Sequence, residues 1–150
     1  MQYLAIGSDH AGYELKSILK DYLLNRGIEV VDVGTHSLES CDYPRFAHDL
    51  CVMIQNKQVE YGVLVCGTGI GMSMSANRYR GIRAALCANE YHARMSKAHN
   101  DSNVLCLGSR VIGSELALSI LAAWLESVFE RDRHLRRVNL IDELPNQNLA

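Results

Sequence analysis

The chain has 150 residues, 48% hydrophobic and 21% charged, with a formal net charge of -2; that suits one globular domain and leaves little room for two. Fifteen Lys and Arg against seventeen Asp and Glu give no basic excess of the kind that draws a protein to nucleic acid or to an anionic membrane. No apolar run approaches the roughly 20 residues of a membrane-spanning helix.

Residues 3–7 read as the first strand, entered directly from Met1 and Gln2 with no basic and apolar leader, so a cytoplasmic protein without a nucleic-acid or membrane partner is expected. Leu15, Ile18, Leu19, Tyr22 and Leu23 then recur at helical spacing, and Gly27 follows as a terminator. Residues 29–33 give the second strand, Phe46, Leu50, Met53 and Ile54 a second helix, and 61–66 the third strand. A helical stretch over 72–78 follows, then strands at 83–87 and 103–107, then a helix carried by Ala117, Ile120, Leu121, Trp124, Leu125 and Val128. Strands without alternation, separated by helices, predict an α/β fold: a single doubly wound, Rossmann-like or flavodoxin-like domain over 1–150. Its five-stranded parallel sheet would carry helices on both faces. Residues 145–150 read as a loose C-terminal tail.

Ligands of such a sheet bind at the carboxyl ends of its strands, and polar groups gather in segments beside the predicted strands. They are Ser8-Asp9-His10-Ala11-Gly12, Cys66-Gly67-Thr68-Gly69-Ile70-Gly71, His99-Asn100-Asp101 and Gly108-Ser109-Arg110. The glycine run is neither G-x-G-x-x-G nor a P-loop. Alone it reads either as a tight strand-to-helix turn or as a loop whose amides face an anion. Cys66, at the end of its strand, reads either as a buried thiol or as a base or nucleophile favoured by nearby amide dipoles. Asp9, His10 and His99 are expected to face one cleft, with histidine suited to proton transfer near neutrality.

The five cysteines, Cys41, Cys51, Cys66, Cys87 and Cys106, are odd in number and never form a C-x-x-C pair, which argues against a disulfide framework or a structural zinc site. His36, His48 and His92 show no ligand spacing and no H-E-x-x-H occurs, so no metal and no cofactor is expected. The densest basic run is 131–137, where Arg133 and Arg137 would share one helix face as a phosphate fork. The alternative for that run is a solvated charge cluster closing a helix.

Six ordered blocks carry a more specific signal than any one of them. Gly7-Ser8-Asp9-His10-Ala11-Gly12, Asp42-Tyr43-Pro44, the run Cys66 to Gly71, Ala76-Asn77-Arg78, the run His99 to Leu105, and Arg133-His134 through Arg137-Val138 follow one another along nearly the whole chain. Together they resemble the ribose-5-phosphate isomerase type B family, which shares its fold with the lactose-pathway galactose-6-phosphate isomerase subunits. The resemblance implies metal-free aldose–ketose isomerisation of a phosphosugar through an enediolate, as in the pentose phosphate pathway, with a cysteine as base.

By that resemblance His99 opens the furanose ring, and Cys66 moves the proton from C2 to C1. Asp9 and Thr68 handle the hydroxyl protons, and the amides of Gly67, Gly69, Ile70 and Gly71 hold the oxyanion. Asn100 and Tyr43 contact the sugar, while His10, Arg110, Arg133 and Arg137 clamp the phosphate. The resemblance also implies a homodimer, with further assembly to a tetramer, whose active site is shared between subunits. The chain departs from the family in two respects. Met72 stands where one branch carries a glutamate base, and Arg131-Asp132 replaces a usual Gly-Gly. A six-carbon phosphosugar, allose 6-phosphate or galactose 6-phosphate, is the alternative substrate. A non-catalytic sugar-phosphate binding module is the alternative outside enzymology.

Overall fold

All five predicted strands form and pair in parallel in one sheet of order β2-β1-β3-β5-β4. The computed structural model describes residues 3–147. In chain order the elements are β1 (Tyr3–Ser8), α1 (Tyr13–Asn25), β2 (Glu29–Gly34), α2 (Tyr43–Gln55), β3 (Tyr61–Cys66) and α3 (Ile70–Ala76). They continue with β4 (Ala84–Leu86), α4 (Glu90–Ala98), β5 (Val104–Gly108), α5 (Ser114–Glu126) and α6 (Asp132–Asn146).

The strand order departs from the flavodoxin-like 2-1-3-4-5 by exchanging the last two strands. Burial explains the exchange. Every residue of β5 is buried, as a central strand requires, whereas three-residue β4 has none buried and lies at the edge.

Side chains alternate across the sheet. Leu4, Ile6, Val63, Val65, Leu105 and Leu107 pack under α1, α4 and α5, while Ala5, Leu64, Cys66, Val104 and Cys106 pack under α2 and α3. Helices therefore cover both faces. Lys16 of α1, 1% exposed, ties the first face to β2, its Nζ 2.6 Å from both the Asp32 carboxylate and the Thr35 carbonyl oxygen.

In the C-terminal region Arg133 and Arg137 lie on one helix, and the alternative reading of their run fails. The charge run at 131–137 does not close α5, which ends at Glu126, but opens α6. The break has a backbone cause: Arg131, which precedes α6, and Asp132, its first residue, adopt positive φ angles of 60° and 33°, outside the right-handed helical region. The macrodipole argument for basic residues at a helix C-terminus thus does not apply to Arg133 and Arg137. The loose tail expected over 145–150 is also corrected at its start, because Pro145 and Asn146 belong to the last turn of α6. Residues 148–150 lie outside the described residues. No helix among the described residues is long and apolar enough to cross a membrane.

Candidate active site

In this sheet the strand order turns back between β1 and β3, so the crevice for a ligand opens at the carboxyl ends of those two strands. Asp9 follows β1 there, its N–H donating to the Val65 carbonyl at 3.3 Å and its Oδ1 accepting from the Gly12 N–H at 3.1 Å. The side chain is 6% exposed and its second oxygen is left for chemistry. Gly12 is required beside it, since a Cβ would sit 2.5 Å from the Val65 carbonyl oxygen. His10 accepts the Cys41 N–H on Nδ1 at 3.2 Å. That assignment puts the proton of the neutral ring on Nε2, a donor for an anion.

Cys66 ends β3 with 4% of its surface exposed, and its Sγ accepts the Gly69 N–H at 3.1 Å. In the free chain the Gly69 N–H is thus engaged by the sulfur. The turn that delivers it needs glycine, because Gly69 has φ +77° and a Cβ would lie 2.5 Å from Leu86 and 2.9 Å from the Leu107 backbone. Thr68 Oγ1 accepts the Ile70 N–H at 3.2 Å, which leaves its hydroxyl proton free to point elsewhere.

Burial pushes the Cys51 thiol up to about 12 and Cys87 to about 11, the latter opposed in part by Ser96, and it raises Cys106 well above the usual value. All five cysteines are free.

The residues after β5 close the same crevice. The Ser109 N–H donates to the Cys66 carbonyl and the Arg110 N–H to that of Gly67, both at 2.9 Å. The Arg110 guanidinium lies over Gly67, where a Cβ would be 3.3 Å from Nη1. Tyr43, at the start of α2, covers Gly71 so closely that a Cβ there would be 2.6 Å from the ring. Asp9, His10, Tyr43, the run Cys66 to Gly71 and Arg110 thus gather at the carboxyl edge of the sheet.

His99, Asn100, Arg133 and Arg137 do not join it within the chain. Within one chain Asp9, His10 and His99 do not face one cleft, and the reason is topological. A segment that precedes a parallel strand lies at the sheet's amino edge, while one that follows a strand lies at its carboxyl edge. Val104 pairs with Gly62 and Gly108 with Cys66, so the two edges are roughly 13 Å apart along β3 and β5. His99 lies beyond the amino end of that span.

At the amino edge a second group is assembled. The His99 ring stacks on that of His134 with centroids 4.2 Å apart and planes 10° from parallel, which brings the first two turns of α6, with exposed Arg133 and Arg137, toward the segment of exposed Asn100. Burial, the neighbouring His99 and Arg133 hold the His134 imidazole below its ordinary value, against the pull of Glu130. The sequence reading gave His134 no role, although it lies within a quoted family block.

The loop that carries His99 and Asn100 is anchored from below. Lys97, 4% exposed, donates from Nζ to the Ser102 carbonyl at 3.0 Å and sits 3.6 Å from the centre of the Tyr61 ring and 4.2 Å from that of Trp124. Burial lowers its pKa to about 7, with Asp101 opposing.

Comparison with known proteins agrees with this architecture. The family model described as Ribose/Galactose Isomerase matches residues 4–141. Ribose-5-phosphate isomerase B of Escherichia coli K12 is 46% identical over 141 residues, 94% of this chain and 95% of that protein. The D-erythrulose-4-phosphate isomerase of Pectobacterium atrosepticum is 43% identical over 87% of this chain and 86% of its own length. The crystal structure of a ribose 5-phosphate isomerase from Thermotoga maritima superposes with a TM-score of 0.93 at 51% identity, covering 95% of this chain and 98% of that one. With both the site and the full-length matches in hand, the chain belongs to the ribose/galactose isomerase family and is a sugar-phosphate isomerase.

Proposed function

We propose that the protein interconverts ribose 5-phosphate and ribulose 5-phosphate, with Cys66 as the base that moves a proton between C2 and C1. The observation that carries the reading is Cys66 itself: a nearly buried sulfur, given an N–H by Gly69, at the strand ends that also carry Asp9 and Thr68. The thiolate takes the C2 proton, and the electron pair moves into an enediolate across C1 and C2. The same proton returns at C1 from the thiol. O2 loses a proton and O1 gains one, carried by Asp9 and Thr68. His10 and Arg110 hold the phosphate on this side, and its remote binding positions the reacting carbons.

His99 opens the sugar ring, Asn100 binds it, and Arg133 and Arg137 complete the phosphate clamp. These four stand at the far edge of the same chain, so the working site joins the carboxyl edge of one copy to the amino edge of a second in a homodimer. Supporting that assembly, α6 exposes Leu135, Ile141 and Leu144, and its Asp142 carboxylate lies 3.4 Å from the Gly81 N–H as a slight tie to the body. The free cysteines suit a reducing, cytoplasmic setting.

The relative that acts on D-erythrulose 4-phosphate makes the sugar's chain length the variable to test. Chelator-treated protein is expected to convert ribose 5-phosphate to ribulose 5-phosphate with a higher kcat/KM than it shows on erythrulose 4-phosphate or allose 6-phosphate. A higher value on either of the others reassigns the substrate, and turnover of none removes the reading.

A further inference from the structure

Three nitrogen and oxygen donors converge at the amino edge without bonding one another. Glu130 Oε2 lies 3.7 Å from His99 Nε2 and 3.6 Å from His134 Nε2, and the three atoms are all within 4.8 Å of each other. Both named separations exceed a hydrogen bond. They are close to the roughly 3.4 Å edge of a tetrahedron whose centre bonds its corners at about 2.1 Å. The His134 side chain is 8% exposed, and its Nε2 is a buried polar atom with no hydrogen-bond partner among the described residues. A buried, unpaired ring nitrogen is costly unless something fills the gap it faces.

We propose that His99, Glu130 and His134 form a site for a divalent transition-metal ion, zinc above all, which inhibits the isomerase by occupying His99. The donor set is two imidazoles and one carboxylate, which suits zinc, cobalt or nickel and not magnesium or calcium. The backbone is built for it: the Glu130 N–H donates to the Ala98 carbonyl at 3.0 Å and fixes the carboxylate beside the histidine that follows Ala98. The two rings are stacked and nearly parallel, so their in-plane lone pairs run side by side, and binding one ion requires His99, 37% exposed, to swing out of the stack. Three protein ligands leave a fourth position for water. Arg133 and Arg137 nearby oppose a cation, which keeps the site weaker than a structural zinc centre. Short-range spacing could not reveal it, because His99 and Glu130 are far apart in the chain.

The inhibitory consequence rests on the isomerase reading, whereas the binding does not. Chelator-stripped protein titrated with zinc by calorimetry, and with cobalt by visible absorption, is expected to take one ion per chain, with magnesium showing no binding. Glu130→Gln is expected to weaken zinc binding at least about tenfold, to leave the metal-free isomerase rate unchanged, and to raise the zinc concentration for half-inhibition by the same factor. Unchanged zinc affinity in Glu130→Gln, or loss of the site in Cys66→Ala, overturns the assignment and in the second case puts the ion on the thiol. If stripped protein fails to isomerise any sugar, the functional reading falls while the cobalt spectrum still reports on the metal site.

Discussion

Cys66 and His99 stand at opposite edges of one parallel sheet, the first at the end of β3 and the second before β5. One chain cannot bring both to one sugar, so a shared site makes a quantitative prediction. Refolded together in equal amounts, Cys66→Ala and Arg137→Ala chains form heterodimers with one doubly impaired site and one intact site. Random pairing then restores about one quarter of wild-type activity. Activity no greater than that of the two parents contradicts a shared site.

Alkylation distinguishes the cysteines. Iodoacetamide reacts with thiolates, and burial holds Cys51 and Cys87 as thiols with values pushed up to about 12 and about 11. We expect inactivation to track modification of Cys66, bound ribose 5-phosphate to slow it, and peptide mass mapping to find Cys51, Cys87 and Cys106 unlabelled in the native protein. Full labelling of Cys66 with activity retained removes the thiol from the mechanism.

Arg131 and Asp132 hold positive φ angles of the kind that glycine adopts most readily. Such a conformation costs a non-glycine residue on the order of 1 kcal/mol. Arg131→Gly is therefore expected to raise the unfolding free energy by up to about 1 kcal/mol, offset in part by the freedom glycine gives the unfolded chain. Chemical denaturation measures it, and a loss of more than that amount shows the turn to be unstrained.

The stabilising ion pair of β2 has a pH signature. Burial alone would raise Asp32, but hydrogen bonds from Lys16, the Gly34 amide and Lys20 outweigh it and hold the carboxyl below its ordinary value. A depressed carboxyl stabilises the fold above its unfolded value near about 3.9 and loses that contribution as pH falls through the folded value. Asp32→Asn leaves buried Lys16 without its counter-charge and is expected to cost about 3 kcal/mol at neutral pH. The gap to wild type should narrow on acidification below pH ~4; a gap that stays constant contradicts the ion-pair account.

The fold was legible because its strands are short apolar runs with no alternation, a pattern that only a sheet covered on both faces explains. Cys66, Asp9, His10 and Arg110 were legible for a related reason: each ends or follows a strand, and the carboxyl ends of parallel strands share one edge of the sheet. His99 looked equivalent along the chain, yet it precedes its strand and so faces the other way. The exchange of β4 and β5 was hidden because neighbour order depends on which strand the helices bury, not on any run of residues. α6 was obscured by a break written in backbone angles at Arg131 and Asp132, residues with no sequence signature of a turn. The meeting of His99, Glu130 and His134 is tertiary and left no spacing to read.

The most direct test of the account is the Cys66→Ala variant, assayed metal-free on ribose 5-phosphate beside wild type, with substrate affinity measured separately by calorimetry. The account predicts a fall in kcat of at least about 10³-fold, the scale of losing an essential acid–base group, with phosphosugar affinity retained. A variant that keeps turnover within a few fold of wild type contradicts the claim that this sulfur moves the proton.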